Sequence, residues 1–376
     1  MHSVRLHYTL NHHSDREVNA SDAALVRHPL MDLLQAVAQQ GSISAAARQL
    51  NLSYRHVWGE LKRWEDVLGH ELIVWEKGQS ARLTEFGDKL MWAERQTQAR
   101  LVPQIEALRA DLERTFAVAF DPQAHVLTLY ASHDDALPRL RDYASEQGLH
   151  LDIRFCGSVD AIRALNEGRC TLAGLHTQLQ ASKTSHTAQA YRGLLKPGLH
   201  KIIGFATRVQ GLIVAPGNPL QLHTLTDVVQ TQARFVHRSL GTGTRVLLDD
   251  LLEQAQLNLT DLNALPVDEP SHTALAEAIA SGRCDAGLGI ESTARARGLS
   301  FVPLLEEYFH LVCLKSALDT PATLALRQLL QERAWRDALN ALPGYSEQLS
   351  GDVQSLSALL PWWTFKKGKK NTTQSP

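Results

Sequence analysis

The chain has 376 residues, of which 44% are hydrophobic, 21% charged and 6% aromatic. This length favours two or three domains, and the composition is that of a folded protein with apolar cores. The 38 basic and 40 acidic residues give a net charge of −2, so the overall charge indicates no particular partner.

Several classes of protein are excluded at this level. No stretch approaches the ~18 apolar residues of a membrane span, and the first thirty residues lack the apolar core of a signal peptide. The four cysteines are far apart and form no C-x-x-C pair. The sequence therefore argues against a membrane protein, a secreted disulfide scaffold and a disordered chain, and we expect a cytoplasmic protein with no membrane partner.

Residues 1–27 are polar and show no periodicity, which predicts a flexible arm. Five histidines occur by position 28, but their spacing is irregular and few acidic residues accompany them. We therefore predict no metal site here.

Two helices are predicted after this arm. Apolar residues recur at i, i+3, i+4 and i+7 from Leu30 to Val37, which is one face of a helix that Gly41 ends. Ser42 is a suitable N-cap for a second helix over residues 43–50, where an alanine cluster allows close helix packing.

A third helix and a hairpin complete this region. Ser53 can cap a helix that runs to Gly69. Two β-prone segments follow, residues 71–75 and 81–84, and they are separated by a polar tip that contains glycine. Three helices and a two-stranded wing are the elements of a winged helix-turn-helix.

Residues 85–115 predict one long helix that is interrupted only by Pro103. A helix of this length usually needs a partner to bury its apolar stripe. We favour a dimerisation helix, and the alternative is a strut between domains.

Strands and helices alternate after Pro122. Because repeated βα units usually build a parallel sheet covered by helices, this region predicts a mostly parallel sheet in two α/β lobes, with ligands at the carboxyl ends of the strands. The predicted strands are 126–130, 151–156, 170–175, 211–215, 234–236, 285–290 and 301–304, and the predicted helices include 134–148, 159–168, 245–255 and 273–281.

The winged helix predicts a DNA-reading surface. The second helix of the pair enters the major groove with its N-terminal residues against base edges, and an arginine there can bind guanine. Serines near the start of the preceding helix and polar residues at the wing tip can contact phosphates. The candidate DNA-binding residues are Ser42, Ser44, Ser53, Tyr54, Arg55, His56, Lys62, Arg63, Lys77 and Gln79.

Charge alone gives this hypothesis little support, because residues 41–82 contain nearly equal numbers of basic and acidic residues. The stronger signal is the sequence itself. This region resembles the N-terminal domain of LysR-type regulators. Two stretches carry the resemblance: Gly-Ser-Ile-Ser-Ala-Ala-Ala-Arg-Gln-Leu from Gly41 and Glu-Asp-Val-Leu-Gly-His-Glu-Leu from Glu65. Ser-Tyr-Arg-His-Val-Trp from Ser53 is more similar to the molybdate-responsive ModE regulators. The resemblance covers residues 28–115 and implies that the long helix pairs two subunits.

The segment His-Arg-Ser-Leu-Gly-Thr-Gly-Thr-Arg, residues 237–245, follows a predicted strand and begins a helix. Its glycines allow backbone to approach a ligand, its threonines offer hydroxyls, and the helix N-terminus presents free N–H groups. This combination can hold an anion without a metal. Arg245 could either contact that anion or form a salt bridge within the fold.

Serine and histidine follow several other predicted strands and could face the same cleft between the lobes. Hydroxyls, imidazoles and helix N-termini that converge in this way predict a pocket for a small anion. The candidate effector-binding residues are Ser132, His133, Ser158, His176, Gly241, Thr242, Gly243, Thr244, Arg245, Ser271 and His272, and Glu291 and Tyr308 are weaker candidates for the cleft wall.

This second region resembles the type II periplasmic-binding-protein fold, and in particular the molybdate-binding-protein-like domains that are fused to ModE-type helix-turn-helix units. The resemblance is carried by the stretches that begin at Leu165, Val214, Gly241 and Ser281, and it covers residues 124–345. It implies two lobes that close on a ligand, and related pockets accept molybdate, tungstate, sulfate or small carboxylates. The chain lacks the small β-barrel with which ModE binds molybdate, so the ligand cannot be copied from ModE.

The sequence thus predicts an α+β multidomain protein with a winged helix-turn-helix and a two-lobed α/β effector domain. We expect no enzymatic activity, because no nucleophile elbow or H-E-x-x-H motif occurs, and no cofactor. The expected divisions are an arm (1–27), the winged helix (28–84), the linker helix (85–120), the effector domain (121–345) and a tail (346–376).

The expected function is a one-component transcriptional regulator that binds an operator in double-stranded DNA as a homodimer or tetramer and senses a small oxyanion. In that hypothesis it could control genes for molybdenum enzymes or formate dehydrogenase, and formate itself could be the effector. One alternative is a regulator that senses a neutral organic ligand. Another is a solute-binding transport component with an incidental helical head.

Overall fold

The computed structural model describes residues 28–75, 80–120, 125–178 and 182–360. The chain divides into two compact units, with the boundary between Ile105 and Glu106. The predicted arm, residues 1–27, and most of the predicted tail therefore lie outside the described residues, as does the wing tip.

The first unit contains three helices and a short hairpin. The helices are α1 (Pro29–Gln40), α2 (Ile43–Gln49) and α3 (Tyr54–Leu68), and the strands β1 (Ile73–Val74) and β2 (Arg82–Leu83) pair antiparallel. Gly41 and Gly69 end α1 and α3 in the left-handed conformation, where glycine lacks the steric penalty of other residues. The predicted winged helix-turn-helix is confirmed, with shorter strands than expected.

The core of this unit is apolar and continuous. Leucines of α1, alanines of α2 and the inner face of α3 pack together, and Leu72 and Ile73 of the wing join them. Gly87 allows the next helix to pass close to the wing, since a Cβ there would lie 2.3 Å from the carbonyl oxygen of Leu72.

The long helix α4 runs from Glu85 to Phe120. It is five residues longer than the sequence predicted, and Pro103 does not interrupt it. The end of this helix in the second unit carries exposed apolar residues four positions apart: Leu108, Leu112, Phe116 and Phe120. They lie along one side of the helix, because residues spaced by four share a face.

The second unit is built on a ten-stranded sheet with the order β4-β3-β5-β10-β6-β9-β7-β8, and β11 and β12 pair with β6. Its strands are β3 (His125–Ala131), β4 (Leu149–Phe155), β5 (Leu172–Gln178), β6 (His200–Val214), β7 (Arg234–Val236), β8 (Asn263–Ala264), β9 (Ala286–Ile290), β10 (Ser300–Leu314), β11 (Tyr345–Ser346) and β12 (Val353–Gln354).

Helices cover this sheet. They are α5 (Ala136–Glu146), α6 (Ser158–Asn166), α7 (His186–Arg192), α8 (Leu225–Gln230), α9 (Gly243–Gln254), α10 (His272–Ala280), α11 (Glu291–Arg295), α12 (Pro321–Gln331), α13 (Arg333–Asn340) and α14 (Leu356–Leu359).

The prediction of a mostly parallel sheet was wrong at the centre of the unit. The strands β6 and β10, each of 15 residues, run antiparallel to each other and to their other main neighbours, β9 and β5 respectively. Only 211–215 and 301–304 were recognised as strands. The remainder was missed because buried polar residues such as Arg208 and Glu307 interrupt the apolar pattern.

Parallel pairing is confined to the two lobes that these long strands join. The first lobe contains the parallel strands β4, β3 and β5, and the second contains β8, β7 and β9. Two α/β lobes on shared antiparallel strands agree with the expected type II periplasmic-binding-protein fold.

The folded part of the chain extends beyond residue 346, where a tail was expected. Val353 and Gln354 pair with β6, and the side chains of Leu356 and Leu360 are buried. Residues 346–360 therefore belong to the second unit, because pairing with β6 and apolar burial hold them there. In the described ranges, none of the helices is long and apolar enough to cross a membrane.

Candidate functional site

The N-terminal end of α3 is the exposed part of the helix-turn-helix. Ser53 caps the helix, and its hydroxyl accepts a hydrogen bond from the backbone N–H of His56 at 3.1 Å. Tyr54, Arg55 and His56 are exposed, and Arg55 has no ion pair with any described residue. This end of the helix can therefore present a hydroxyl, an imidazole and a guanidinium to a binding partner.

The two serines of α2 differ in their roles. The hydroxyl of Ser42 caps α2 by accepting a hydrogen bond from the N–H of Ala45, at 3.4 Å. Ser44 is exposed and lies in the first turn of the helix. Ser44 is thus the freer of the two for contact with a phosphate.

Two further candidates are held by carboxylates of their own helix. Lys62 Nζ lies 2.5 Å from Glu65 Oε2, and Arg63 forms a 2.5 Å pair with Glu60. Both cations also lie over tryptophan rings. These pairs reduce the net positive charge that α3 offers to DNA. Lys77 and Gln79, the remaining candidates, lie outside the described residues.

Aromatic side chains form an exposed strip that the sequence analysis did not assign. Tyr54 stacks on Trp58 with ring centroids 6.4 Å apart, and Trp75 of the wing meets Trp58 edge to face at 6.3 Å. The i, i+4 spacing of Tyr54 and Trp58 on a helix was the signal that could have identified this strip.

In the second unit, candidates from the first lobe meet at the strand ends. The hydroxyl oxygens of Ser132 and Ser158 are 3.0 Å apart and buried. His133 is also buried and packs against Phe155. Residues that follow β3 and β4 are thus brought together as expected.

The loop from the second lobe closes onto these residues. A Cβ on Gly157 would lie 2.6 Å from the carbonyl oxygen of Gly241, and a Cβ on Gly243 would lie 2.9 Å from the Cβ of His176. The close approach of the two lobes therefore depends on these glycines having no side chain.

The threonines of the loop have different functions. Thr242 caps α9, accepting a hydrogen bond from the N–H of Arg245 and donating one to the carbonyl of Ser239. Thr244 accepts a hydrogen bond from Gln210 at 3.0 Å, and its hydroxyl lies 3.5 Å from Nε2 of His272. Ser271 caps α10 through the N–H of Ala274. Thr244 and His272 are therefore the members of this group whose side chains meet.

The two long strands add a buried ionic network that the sequence analysis missed. Arg208 Nε donates to Glu307 Oε1 at 2.6 Å, and its NH1 group pairs with Asp134. Gln210 Nε2 donates to the same Glu307 oxygen at 2.8 Å. Although burial opposes ionisation, Glu307 and Asp134 raise the pKa of Arg208. The sequence signal was the presence of charged residues inside an apolar strand.

Arg238 is the most informative residue of the site. Only 2% of it is exposed, and its NH1 group donates to the backbone carbonyl of Glu269 at 2.8 Å. Among the described residues its Nε has no partner and no carboxylate pairs with it, because Glu269 Oε1 pairs with Arg283 instead. Burial and the nearby Arg208 lower the pKa of Arg238, and the charge of Glu269 opposes them only in part. A bound anion would therefore stabilise its charged form.

The imidazoles of His176 and His272 are neutral near pH 7. Burial, followed by the charge of Arg208, lowers the pKa of His176 well below its usual range, and burial and Arg238 do the same for His272. Each neutral ring offers one N–H donor and one acceptor nitrogen. The site therefore contains both hydrogen-bond donors and acceptors.

Arg245 lies near a carboxylate, since its NH1 is 3.7 Å from Asp268 Oδ1. The sequence left open whether Arg245 contacts the anion or forms a salt bridge within the fold, and this distance favours the salt bridge. Glu291 pairs with Arg295, and Tyr308 packs against His310.

A second connection between the lobes was not predicted. Asp250 of α9 accepts hydrogen bonds from the N–H groups of His186 and Thr187 at the start of α7, and from the Thr187 hydroxyl and Gln178. It thus caps a helix of the first lobe from a helix of the second, and it stabilises the arrangement in which the lobes are together.

Comparison with known families identifies both regions. Residues 29–88 match the family of bacterial regulatory helix-turn-helix proteins of the lysR family, and residues 141–331 match the PBP superfamily domain. The second match covers half of the chain. The chain therefore belongs to the PBP superfamily. Together the two domains have the architecture of LysR-type DNA-binding transcription regulators, which carry a PBP-like effector domain.

Individual relatives are distant. The chain is 28% identical over 200 residues to the uncharacterized protein YvgK of Bacillus subtilis, and this region is 53% of the chain and 64% of that relative's length. Among solved structures, it is similar to a mutant of Corynebacterium glutamicum OxyR with bound H2O2 (17% identity, TM-score 0.41, 81% and 94% of the two chains). It is also similar to CbnR, a LysR family transcriptional regulator (15% identity, TM-score 0.40, 81% and 98% of the two chains).

Proposed function

We propose that the chain is a cytoplasmic transcription regulator that binds an operator in double-stranded DNA through α3 and a small oxyanion between the lobes of its second unit. The DNA-binding part is supported by the lysR-family match and by the exposed N-terminal end of α3. In this proposal Arg55 and His56 read bases and Ser44 contacts a phosphate, since side chains at the start of a recognition helix face base edges.

The observation that carries the effector proposal is Arg238. A buried guanidinium without a paired carboxylate is costly, and a bound anion offsets that cost. Gly243 at the N-terminus of α9 lies against His176, on which the charge of Arg238 acts, and the positive end of a helix favours negative charge. A neutral organic ligand, the alternative in the sequence analysis, would leave Arg238 with only the charge of Glu269, which Arg283 also uses.

The candidate effectors are molybdate, tungstate, sulfate and small carboxylates such as formate, and the regulated genes would be those that handle the anion. In this proposal α4 pairs two subunits, and closure of the lobes around the anion changes the spacing of the DNA-binding units. A homodimer is the smallest assembly that this requires.

Two variants test the two parts separately. Arg55→Ala removes a base contact and should weaken operator binding in a gel-shift titration by about 1–3 kcal/mol, with anion binding unchanged. Arg238→Met keeps the length of the side chain but removes its charge, and it should abolish anion binding in calorimetry with operator binding intact. Unchanged DNA affinity in Arg55→Ala, or unchanged anion affinity in Arg238→Met, would contradict the corresponding part.

A further inference from the structure

The orientation of the Gln210 side chain is fixed by its neighbours. Its Nε2 donates to Glu307 Oε1 at 2.8 Å and to Thr244 Oγ1 at 3.0 Å. The opposite orientation of the amide would place the Gln210 carbonyl oxygen against the Glu307 carboxylate, where two acceptors would repel each other. Oε1 must therefore point away from Glu307.

In this orientation Gln210 Oε1 is a buried acceptor without a donor. The residue is fully buried, and Oε1 has no hydrogen-bond partner among the described residues. A buried acceptor that lacks a donor destabilises the fold, because it has lost its hydrogen bond to water. A donor on a bound ligand would remove that destabilisation.

The ring of His176 also requires a hydrogen-bond donor on the ligand. Both of its ring nitrogens are buried and have no hydrogen-bond partner among the described residues, and Nδ1 lies 3.7 Å from Glu307, which is too far for a hydrogen bond. Because the ring is neutral, one nitrogen is a donor and the other an acceptor. The ligand must therefore accept and donate to satisfy both.

Arg238, in contrast, requires negative charge on the ligand. It belongs to the same cluster, since its charge acts on both His176 and His272, and His272 lies 3.5 Å from Thr244, the partner of Gln210. The guanidinium of Arg238 and the two acceptors therefore belong to one buried cluster.

We propose that the effector is an anion that also carries a hydrogen-bond donor, a hydroxyl or a protonated oxygen, which donates to Gln210 Oε1. This inference rests on the proposed function and narrows it. Molybdate, tungstate, sulfate and formate have only acceptors near pH 7, so they satisfy Arg238 but leave Gln210 and one nitrogen of His176 without a donor. Hydrogenphosphate-like oxyanions and hydroxycarboxylates add one O–H donor, which satisfies Gln210 Oε1 while their negative charge faces Arg238.

Matched pairs of anions test the inference with the full-length protein. Hydrogenphosphate and sulfate at pH 7.5 have the same shape and charge near −2, and only hydrogenphosphate has an O–H group; glycolate and acetate differ by one hydroxyl. Calorimetry should give at least roughly 10-fold tighter binding for the hydroxyl-bearing member of a pair, because a site built to bind a hydroxyl rejects the analogue that lacks it.

Gln210→Met then tests the residue itself, since methionine has a similar length and no amide. The variant should bind the two members of the pair with nearly equal affinity, and its melting temperature in the absence of ligand reports whether it folds. Wild-type protein that binds sulfate or molybdate as tightly as hydrogenphosphate would overturn the inference and leave the anion-binding function standing. Wild-type protein that binds none of these four anions, nor molybdate, tungstate or formate, would contradict the proposed anion-binding function itself.

Discussion

Glu65 connects the recognition helix to the wing. Its Oε1 accepts hydrogen bonds from the backbone N–H groups of Leu72 and Ile73, and its other oxygen pairs with Lys62. Burial alone would raise its pKa, but Lys62 and the Leu72 N–H more than compensate, and the pKa of Glu65 is lowered from 4.5. A carboxylate with a lowered pKa stabilises the fold above the unfolded pKa and loses that effect as the pH falls through the folded value.

Glu65→Gln should therefore destabilise the DNA-binding unit by about 1 kcal/mol at pH 7, because the ion pair is lost while an acceptor for Leu72 remains. The difference from wild type should shrink as the pH falls below about 4.5, and it should be smallest below the lowered pKa of Glu65, where the native carboxylate is also neutral. Urea unfolding of both proteins across this pH range measures the effect. A difference that stays constant with pH would mean that the charge of Glu65 contributes nothing.

Residue roles were predictable from the sequence where they are local. Ser42 and Ser53 were identified as caps because an N-cap is recognised by its own position and the few residues after it. Arg208, Gln210 and Glu307 were missed because their partners lie far away in the chain. Arg238 was inside a motif that the sequence singled out, but only its burial distinguishes it from a surface arginine.

At the scale of elements, the contact between the lobes depends on the absence of a side chain at Gly157. Gly157→Ala would place a Cβ 2.6 Å from the carbonyl oxygen of Gly241, and the backbone on both sides must shift to relieve it. We expect this variant to favour separated lobes and to lower anion affinity by about 10-fold, equivalent to roughly 1.4 kcal/mol.

Gly193→Ala is the matched control for this experiment. Gly193 has a negative φ, and a Cβ at this position would have no other atom within 4 Å, so the added methyl meets no neighbour. Calorimetry with the tightest-binding anion compares the two variants. If both bind as wild type does, the contact at Gly157 does not control closure of the lobes.

The helix α4 presents an apolar stripe that the folded monomer leaves exposed. Leu108 and Phe120 are 65% and 86% exposed, and Leu112 and Phe116 lie between them on the same side. Leu108→Lys should weaken pairing of two copies and lower the apparent mass in sedimentation or light scattering. Leu324→Lys, which changes an exposed leucine of α12, should have no effect. Equal masses for the two variants would exclude this stripe from the subunit interface.

The elements themselves were predictable where their pattern was regular. The helices of the first unit and the strands of the two lobes other than β8 follow from periodicity and caps. The antiparallel arrangement of β6 and β10 did not follow, because strand direction is set by contacts between residues about 100 positions apart, such as Thr207 with Tyr308. The sequence therefore predicted the two lobes but not the strands that join them.

At the scale of the whole molecule, the proposed regulator must couple its two ligands. A ligand that binds one arrangement of the chain more tightly shifts the equilibrium toward it, and the coupling free energy is typically about 1–3 kcal/mol. By linkage, an anion that changes operator affinity must have its own affinity changed by operator DNA to the same extent, which is about 5–150-fold.

The effect of the anion on operator affinity and the effect of the operator on anion affinity can both be measured with one protein. Gel-shift titration gives operator affinity with and without saturating anion, and calorimetry gives anion affinity with and without the operator duplex. We expect equal ratios from the two experiments, and in Gly157→Ala, where closure is impaired, we expect both ratios to fall together. Arg55→Ala should lower operator affinity but leave the ratio unchanged, because Arg55 contacts DNA in either arrangement. A ratio of one in the wild type would show that anion and operator bind independently, and the chain would then not be a switch.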